Sequence, residues 1–151
     1  MKAKLVGIRR SRRTFKVKDV MTANPVTLEP GDTIGAAEEI MNEQGFRQIP
    51  VVSGKELIGI ITDRDVRSVL GGARVSTGEE REIALGTRVA AVMTTKPVSV
   101  APDDDLSEAI ELLIEGKMGG IPVVDEEEGL VGIVTYVDAL RSFLDLLVEE
   151  S

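Results

Sequence analysis

The sequence contains the same pattern twice, and this duplication limits the possible folds more than any other feature. Three segments recur at a displacement of 72 or 73 residues: 17–22 (VKDVMT) returns as 89–94 (VAAVMT), 49–52 (IPVV) as 121–124 (IPVV), and 59–65 (GIITDRD) as 132–138 (GIVTYVD). Such self-similarity predicts two copies of one supersecondary unit. Neither copy is long enough to be comfortably stable alone, so the two are expected to pack on each other.

Each copy predicts the order strand, helix, strand, strand, helix, which is an α/β (α+β) fold. Asp32 or Thr33 can cap the first helix, and Gly45 is suited to end it. In the first copy we expect these elements at 24–28, about 34–44, 49–52, 57–61 and about 63–70.

The same displacement divides the chain into four regions. These are a basic N-terminal arm (1–16), a first repeat (17–72), a polar linker (73–88) and a second repeat (89–151). The linker is interpreted either as a plain connector or as a loop long enough to reach over a ligand.

The last helix is predicted from about 136 to 148, which makes it longer than its counterpart in the first repeat. It carries a wide apolar stripe made of Leu140, Phe143, Leu144, Leu147 and Val148. One small half does not need to bury so much apolar surface. We therefore expect a homodimer formed through helices of this kind.

The chain has no cysteine and no histidine among its 151 residues. Disulfides, thiolate or imidazole metal sites and catalytic triads that need His or Cys are therefore excluded, and a metal could bind only through oxygen ligands. No paired catalytic constellation and no glycine-rich phosphate loop is present. We expect no catalytic residues, no metal site and no enzyme activity.

The net charge of −8 is unevenly distributed. The first eighteen residues carry eight of the 18 basic side chains and no acidic one, so the remainder holds ten basic against 26 acidic residues. This acidic body would repel a nucleic acid backbone, although the arm could act as a weak tether. No apolar run reaches the roughly 18 residues of a membrane span, and the N-terminus lacks the apolar core of a signal peptide, so we expect a cytoplasmic protein without membrane contact.

The most informative site pattern is Thr-x-x-Asp at the end of each repeat, Thr62 to Asp65 and Thr135 to Asp138. Each copy follows a strand and begins a helix, so it fits a capping box, in which the hydroxyl and the carboxylate bond early helix amides. It also fits a ligand site, because a carboxylate can accept hydrogen bonds from both hydroxyls of a ribose. The residues alone leave both interpretations open.

Taken together, the duplicated motifs resemble tandem CBS domains, the cystathionine-beta-synthase module also called a Bateman module. The resemblance covers about residues 17–148. It implies two β-α-β-β-α repeats packed sheet to sheet about a pseudo-twofold axis. It also implies two clefts of the kind that commonly hold AMP, ADP, ATP or S-adenosylmethionine, in pairs that often associate with a second pair.

The resemblance implies site residues as well. Asp65 and Asp138 correspond to the ribose carboxylates of the family, with Thr62 and Thr135 as the accompanying hydroxyls. The adenine contacts of the family correspond to the segments 24–26, 46–49, 96–98 and 118–121. From these segments our candidates are Asn24, Pro25, Val26, Ile49, Lys96, Pro97, Val98, Met118 and Ile121.

The charged residues near the two aspartates differ. Arg47, Arg64 and Arg67 are expected around the first, where guanidinium groups can bind phosphate oxygens, and only Lys96 and Lys117 offer charge near the second. This predicts a phosphate-rich ligand nearer the first half, although cations of the opposite repeat could reach it. The phosphate candidates are Arg47, Arg64, Arg67 and Lys117.

The leading hypothesis is a stand-alone regulatory module that needs no cofactor. Its regulatory ligand is AMP, ADP or ATP in preference to S-adenosylmethionine, and occupancy changes its shape and signals to an unidentified effector protein. One alternative is a ligand-independent dimerisation scaffold with vestigial clefts. Another is a weak nucleic-acid tether through the basic arm.

Overall fold

The computed structural model describes residues 15–71 and 77–149 of the chain. In chain order the elements are α1 (Val17–Val20), β1 (Thr22–Ala23), α2 (Ile34–Gln44), β2 (Gln48–Ser53), β3 (Glu56–Thr62), α3 (Asp63–Leu70), α4 (Gly78–Leu85), a 3₁₀ turn (Val89–Ala91), β4 (Thr94–Thr95), α5 (Leu106–Gly116), β5 (Gly120–Val124), β6 (Leu130–Thr135) and α6 (Tyr136–Glu149). The predicted α/β fold with a duplicated strand, helix, strand, strand, helix order is confirmed.

The strands form two three-stranded sheets, each completed by a strand from the other repeat. The hairpin of β2 and β3 pairs with β4, where Gly59 lies opposite Thr95. The hairpin of β5 and β6 pairs with β1, where Gly132 lies opposite Ala23. The first strand of each repeat is therefore exchanged.

The two hydrophobic cores show the same exchange. Val89 is fully buried in the core formed by α2, β2, β3 and α3, and Val17 is fully buried in the core formed by α5, β5 and β6. Backbone hydrogen bonds hold both segments in place: the Val17 N–H donates to the Asp104 carbonyl at 2.9 Å, and the Val89 N–H donates to the Asp32 carbonyl at 2.8 Å. The repeats are interlocked, because the start of each is built into the other.

The helix signals in the sequence act as predicted. The Thr33 hydroxyl accepts a hydrogen bond from the Ala36 N–H at 3.2 Å, and Gly45 ends α2 in the left-handed conformation with φ of 74°. A capping box begins α3: the Thr62 hydroxyl accepts from the Asp65 N–H at 3.2 Å, and the Asp65 carboxylate accepts from the Thr62 N–H at 2.9 Å. Both helix boundaries therefore follow from local chemistry.

The glycine in each Gly-Ile-(Ile/Val)-Thr motif makes room for a methionine. A Cβ on Gly59 would collide with the Met93 sulfur, and a Cβ on Gly132 would collide with the Met21 sulfur. Each methionine packs against the core of the opposite repeat, which fits the flexible, gap-filling character of this side chain. The motif glycine thus supports the strand exchange.

The first strand differs from the prediction. We expected a strand over 24–28, but β1 ends at Ala23, and Leu28 forms only an isolated parallel bridge with Val51. Asn24 turns the chain with φ of 49°, and Pro25 has no N–H to donate to a ladder. The apolar alternation predicted burial correctly but could not reveal this turn.

The linker contains a helix that we did not predict. The Thr77 hydroxyl caps α4 by accepting from the Glu80 N–H at 3.1 Å, and this Thr-x-x-Glu pattern is a signal that the sequence offered. Arg81 pairs with Glu38 on α2 at 3.0 Å, so α4 packs on the first repeat. No described residue of the linker lines either of the clefts presented below, so the expectation of a loop over a ligand is not supported.

Helix α6 exposes a set of apolar side chains that we call the α6 stripe: Val137, Leu140, Phe143, Leu144, Leu147 and Val148. Each is between 52% and 65% exposed. The predicted basic arm lies outside the described residues except for its last two, Phe15 and Lys16. Of the helices in 15–71 and 77–149, none has the length and apolar character needed to cross a bilayer.

Candidate ligand-binding clefts

Two clefts lie between the repeats, and each is lined by residues of both. The larger, of about 610 Å³, joins residues of segments 22–26 and 44–50 to residues of 133–141, and we call it the aspartate cleft after Asp138. The smaller, of about 430 Å³, joins residues of 94–98 and 117–122 to residues of 60–64, and we call it the lysine cleft after Lys96 and Lys117. Both volumes are typical of sites for small molecules.

Asp138 is the best-defined polar group of the aspartate cleft. It is only 7% exposed, and its carboxylate accepts from the Thr135 N–H at 2.9 Å, the Thr135 hydroxyl at 3.0 Å and the Thr22 hydroxyl at 3.0 Å. Its own N–H donates to the Thr135 hydroxyl at 3.2 Å, which completes a second capping box. Because Thr22 belongs to the exchanged strand β1, the exchange brings a second hydroxyl to this carboxylate.

Apolar and aromatic groups form much of the remaining wall of the aspartate cleft: Pro25, Val26, Phe46, Ile133, Tyr136 and Val137. The Tyr136 hydroxyl donates to the Leu113 carbonyl at 3.1 Å, which fixes the position of the ring. Arg141 lies about one helical turn after Asp138 and lines the same cleft. A flat heterocycle fits the apolar wall, and a polar sugar fits the group around Asp138.

The lysine cleft is mainly cationic. Four basic side chains line it, Arg47, Arg64, Lys96 and Lys117, against one carboxylate, that of Asp63. The Arg47 guanidinium lies 3.6 Å from the Asp63 carboxylate. Such a concentration of guanidinium and ammonium groups favours an anion, and phosphate oxygens are their usual partners.

Both lysines of this cleft have a backbone conformation that lysine rarely adopts. Lys96 has φ of 48°, and Lys117 has φ of 52° at the C-terminus of α5. The position equivalent to Lys117 in the first repeat is Gly45, the residue type that favours this conformation. Side chains held in such conformations concentrate at ligand sites, because a binding role can outweigh the local strain.

Most predicted site residues line one of the clefts. Those in the aspartate cleft are Asn24, Pro25, Val26, Arg47, Thr135 and Asp138. Those in the lysine cleft are Arg47, Thr62, Arg64, Lys96, Pro97, Val98, Lys117 and Met118.

Ile49 and Ile121 do not line a cleft. Both side chains are fully buried, one in each core. Successive residues of a strand face opposite sides, so Pro50 and Pro122 line the clefts while their isoleucine neighbours face inward. Any contact of Ile49 or Ile121 with an adenine would therefore have to come from the main chain, and it stays a prediction.

Asp65 and Arg67 also lie outside both clefts. The Asp65 carboxylate is used in the capping box of α3, and Arg67 pairs with Asp63 at 3.4 Å one helical turn away. For Asp65, the structure shows the capping role, and the ribose contact stays a prediction.

The predicted grouping of charges needs a correction. Lys96 and Lys117 lie in the cleft of Thr62 and Arg64, not beside Asp138. The strand exchange accounts for Lys96: β4 pairs with β3, so the segment that turns at Lys96 lies beside the sheet of the first repeat.

Among the lining residues of the aspartate cleft that were not predicted are two polar ones close to Asp138, Arg141 and Thr22. Arg141 could have been found, because a residue three positions after Asp138 on a helix lies on nearly the same face. Thr22 could not, since its contact with Asp138 depends on the exchanged strand. Within 15–71 and 77–149 there is no cluster of three or more acidic residues suited to hold a metal ion.

Two interlocked β-α-β-β-α repeats with two clefts between them define a paired module with room for small molecules. The CBS domain family model matches residues 17–72 and again 89–145. The chain therefore belongs to the CBS-domain family, as its motifs predicted.

Among curated proteins, the uncharacterized protein MJ1225 of Methanocaldococcus jannaschii is 32% identical over 131 residues, which cover 84% of this chain and 46% of that protein. The chain spans less than half the length of the first curated relatives it matches.

Two solved structures are similar in both fold and sequence. One is CBSX2, a CBS-pair protein of Arabidopsis thaliana, in complex with AMP, with a TM-score of 0.74 and 28% identity over 87% of this chain and 98% of CBSX2. The other is the CBS domain pair of protein MJ0100 in complex with 5'-methylthioadenosine and S-adenosyl-L-methionine, with a TM-score of 0.73 and 25% identity over 87% and 97% of the two chains.

Proposed function

We propose that the chain is a regulatory module that binds an adenosine-containing ligand in the clefts between its repeats. The ligand is AMP, ADP or ATP in preference to S-adenosylmethionine. Its binding changes the arrangement of the repeats, and an effector protein reads that change. The observation that carries the proposal is the aspartate cleft, in which residues of both repeats form an apolar wall beside the Asp138 carboxylate.

The geometry suits each part of a nucleoside. Phe46 and Tyr136 are both partly exposed and line the cleft, where aromatic faces can contact a base. Asp138, Thr22 and Thr135 supply an acceptor and two hydroxyls for a ribose. The AMP complex of CBSX2 and the methylthioadenosine complex of MJ0100 support an adenosine group in this family.

The preference for a nucleotide rests on charge. Four cations line the lysine cleft, and Arg47 and Arg141 line the aspartate cleft. Phosphate oxygens gain charge-assisted hydrogen bonds from these groups, whereas the sulfonium of S-adenosylmethionine would be repelled by them.

Helix α6 provides a route for the signal. It carries Asp138 and Arg141 to the aspartate cleft, and Val137 belongs both to the cleft wall and to the α6 stripe. A ligand that binds one arrangement of the repeats more tightly therefore also changes the position of the stripe.

We further propose that the α6 stripe forms a homodimer contact. Leu144→Glu should convert the dimer to a monomer, because it places a charge in the centre of an apolar interface. Light scattering coupled to size exclusion measures the mass. Ile83→Glu, at a 71% exposed position on α4, is the matched control and should leave the mass unchanged. A wild-type monomer at micromolar concentration would contradict this contact.

Calorimetric titration with AMP, ADP, ATP and S-adenosylmethionine tests the function. We expect adenine nucleotides to bind more tightly than S-adenosylmethionine. Asp138→Asn should weaken binding by about tenfold or more, since it removes a charged acceptor from a buried site. The control is Asp65→Asn, which alters the equivalent capping box outside the clefts and should change affinity less than about threefold.

Absence of binding by all four ligands at millimolar concentration would contradict the proposal and favour the ligand-independent scaffold. Equal losses in the Asp65 and Asp138 variants would show that Asp138 has no special part in binding, and would fit either a role of both capping boxes or ribose contacts from both carboxylates. The absence of enzyme activity, the effector protein and the cytoplasmic location stay predictions. The nucleic-acid tether also stays a prediction, since the arm lies almost entirely outside the described residues.

A further inference from the structure

The side chains that the two clefts share come from the first repeat. Arg47 and Gln48 line both clefts, together with Gly119. At the displacement of 72 residues, the counterparts of Arg47 and Gln48 are Gly119 and Gly120. The second repeat therefore supplies no side chain equivalent to the Arg47 guanidinium.

The two glycines leave the space that Gln48 occupies. A Cβ on Gly119 would collide with the Gln48 side-chain oxygen, and a Cβ on Gly120 would lie 3.1 Å from Gln48 Cγ. Gln48 fills this space, and Arg47 next to it has a side chain that is 79% exposed.

Arg47 is not locked in its present position. Its guanidinium lies 3.6 Å from the Asp63 carboxylate, on the side of the lysine cleft. Asp63 also pairs with Arg67 at 3.4 Å, so it keeps a cationic partner if Arg47 moves away. An exposed ion pair of this kind holds its side chains weakly.

We propose that Arg47 couples the two clefts, so that a phosphate-bearing ligand in one lowers the affinity of the other. A single guanidinium that engages the phosphate in one cleft is not free for the other, and the second repeat has glycine, Gly119, at the equivalent position. This inference rests on the proposed function, because it requires nucleotides in both clefts.

The experiment compares each cleft alone with the intact protein, using ATP as the probe. Val26→Trp fills the aspartate cleft, and Val98→Trp, at the equivalent position, fills the lysine cleft. For the wild type, we multiply the two stepwise association constants for ATP, and we compare this product with the product of the association constants of the two isolated clefts. If Arg47 is shared, the wild-type product is lower by about tenfold or more, and we call this difference the deficit. In the background of Arg47→Ala this deficit should shrink to less than about twofold.

Arg67→Ala is the matched control, because Arg67 also contacts Asp63 but lines neither cleft, and it should keep the full deficit. Adenosine, which lacks phosphate, should show no deficit in any variant. A second measurement needs no filled cleft. For each ligand, the first stepwise association constant is divided by the second, and the value for ATP is then divided by the value for adenosine. This quotient should fall about tenfold in Arg47→Ala and stay unchanged in Arg67→Ala.

A wild type without a deficit, a deficit unchanged in Arg47→Ala, or tighter binding of the second ATP would overturn the coupling. In those cases ATP still binds and the proposed function stands. Failure of every variant to bind ATP or adenosine would overturn both.

Discussion

The aspartate cleft and the lysine cleft occupy equivalent places in the two halves but differ in chemistry. Where the aspartate cleft has Tyr136 and Val137 at the start of its helix, the lysine cleft has Asp63 and Arg64. Capping boxes begin both helices, so the duplicated scaffold is preserved while the side chains facing the ligand have diverged. The comparison teaches that an internal repeat predicts where two sites are, but not that they bind alike.

The carboxylates differ in the same way. Asp138 is 7% exposed, accepts three hydrogen bonds and lines its cleft, whereas Asp65 accepts the Thr62 N–H and lines neither cleft. The same four-residue motif therefore caps a helix in both repeats, but only in the second repeat does its carboxylate also line a cleft.

The largest expected effect comes from removing the charge of the lysine cleft. Lys96→Ala combined with Lys117→Ala should weaken ATP binding by about 10- to 100-fold, because two charge-assisted contacts are lost. Adenosine binding, measured by the same calorimetric titration, should change less than about threefold.

Lys18→Ala combined with Lys55→Ala is the control for that experiment, since it removes the same charge from residues that line neither cleft. An equal loss of ATP and adenosine affinity in the Lys96 and Lys117 variant would mean that these lysines shape the cleft rather than bind phosphate.

A smaller effect is expected on stability. Lys117→Gly should raise the free energy of unfolding by about 0.5–1 kcal/mol, because glycine adopts φ of 52° without the steric cost that a side chain has there. Gly45→Ala, at the equivalent position, should lower it by a similar amount. Urea denaturation measures both, and a Lys117→Gly variant less stable than the wild type would show that the lysine contributes stabilising contacts.

The smallest effect concerns the segments that are exchanged. Lys18 pairs with Asp103 at 2.8 Å, and the equivalent positions, Ala90 and Gly31, carry no charge. The hydrogen bond and charge of Lys18 lower the pKa of Asp103 from its usual 3.8. A lowered pKa stabilises the folded state above about pH 3.8, and this stabilisation is lost as the pH falls through the lower folded-state pKa.

Thermal melts between pH 6 and pH 2 test this pair. Asp103→Asn should show a slightly smaller acid-induced fall in melting temperature than the wild type, since the variant has no carboxylate to protonate at that position. The control Glu126→Gln, in an exposed turn without an ion pair among the described contacts, should behave like the wild type.

Much of the fold was predictable because its signals are local. The periodicity and caps of Thr33, Gly45 and Thr62 predicted α2 and α3 within a residue or two. The same rules could have predicted α4 from Thr77 and Glu80. The error at β1 arose because the turn at Asn24 has no apolar pattern of its own.

The candidate site was predictable in part. The motifs led to Thr62, Thr135 and Asp138, which line clefts. They did not predict that Ile49 and Ile121 face the cores, since the facing of a strand depends on what packs against it.

By itself the sequence determined the two repeats, the order of their elements, the caps of their helices and the family, because these depend on residues close together in the chain. Only the tertiary structure decided which segments share a cleft. Thr94 and Thr95 pair with β3, and Thr22 and Ala23 pair with β6, over separations that no local pattern encodes. That exchange brings Lys96 to the cleft of Thr62 and Arg64, and brings Thr22 to Asp138. Lys117 reaches the same cleft from the end of α5.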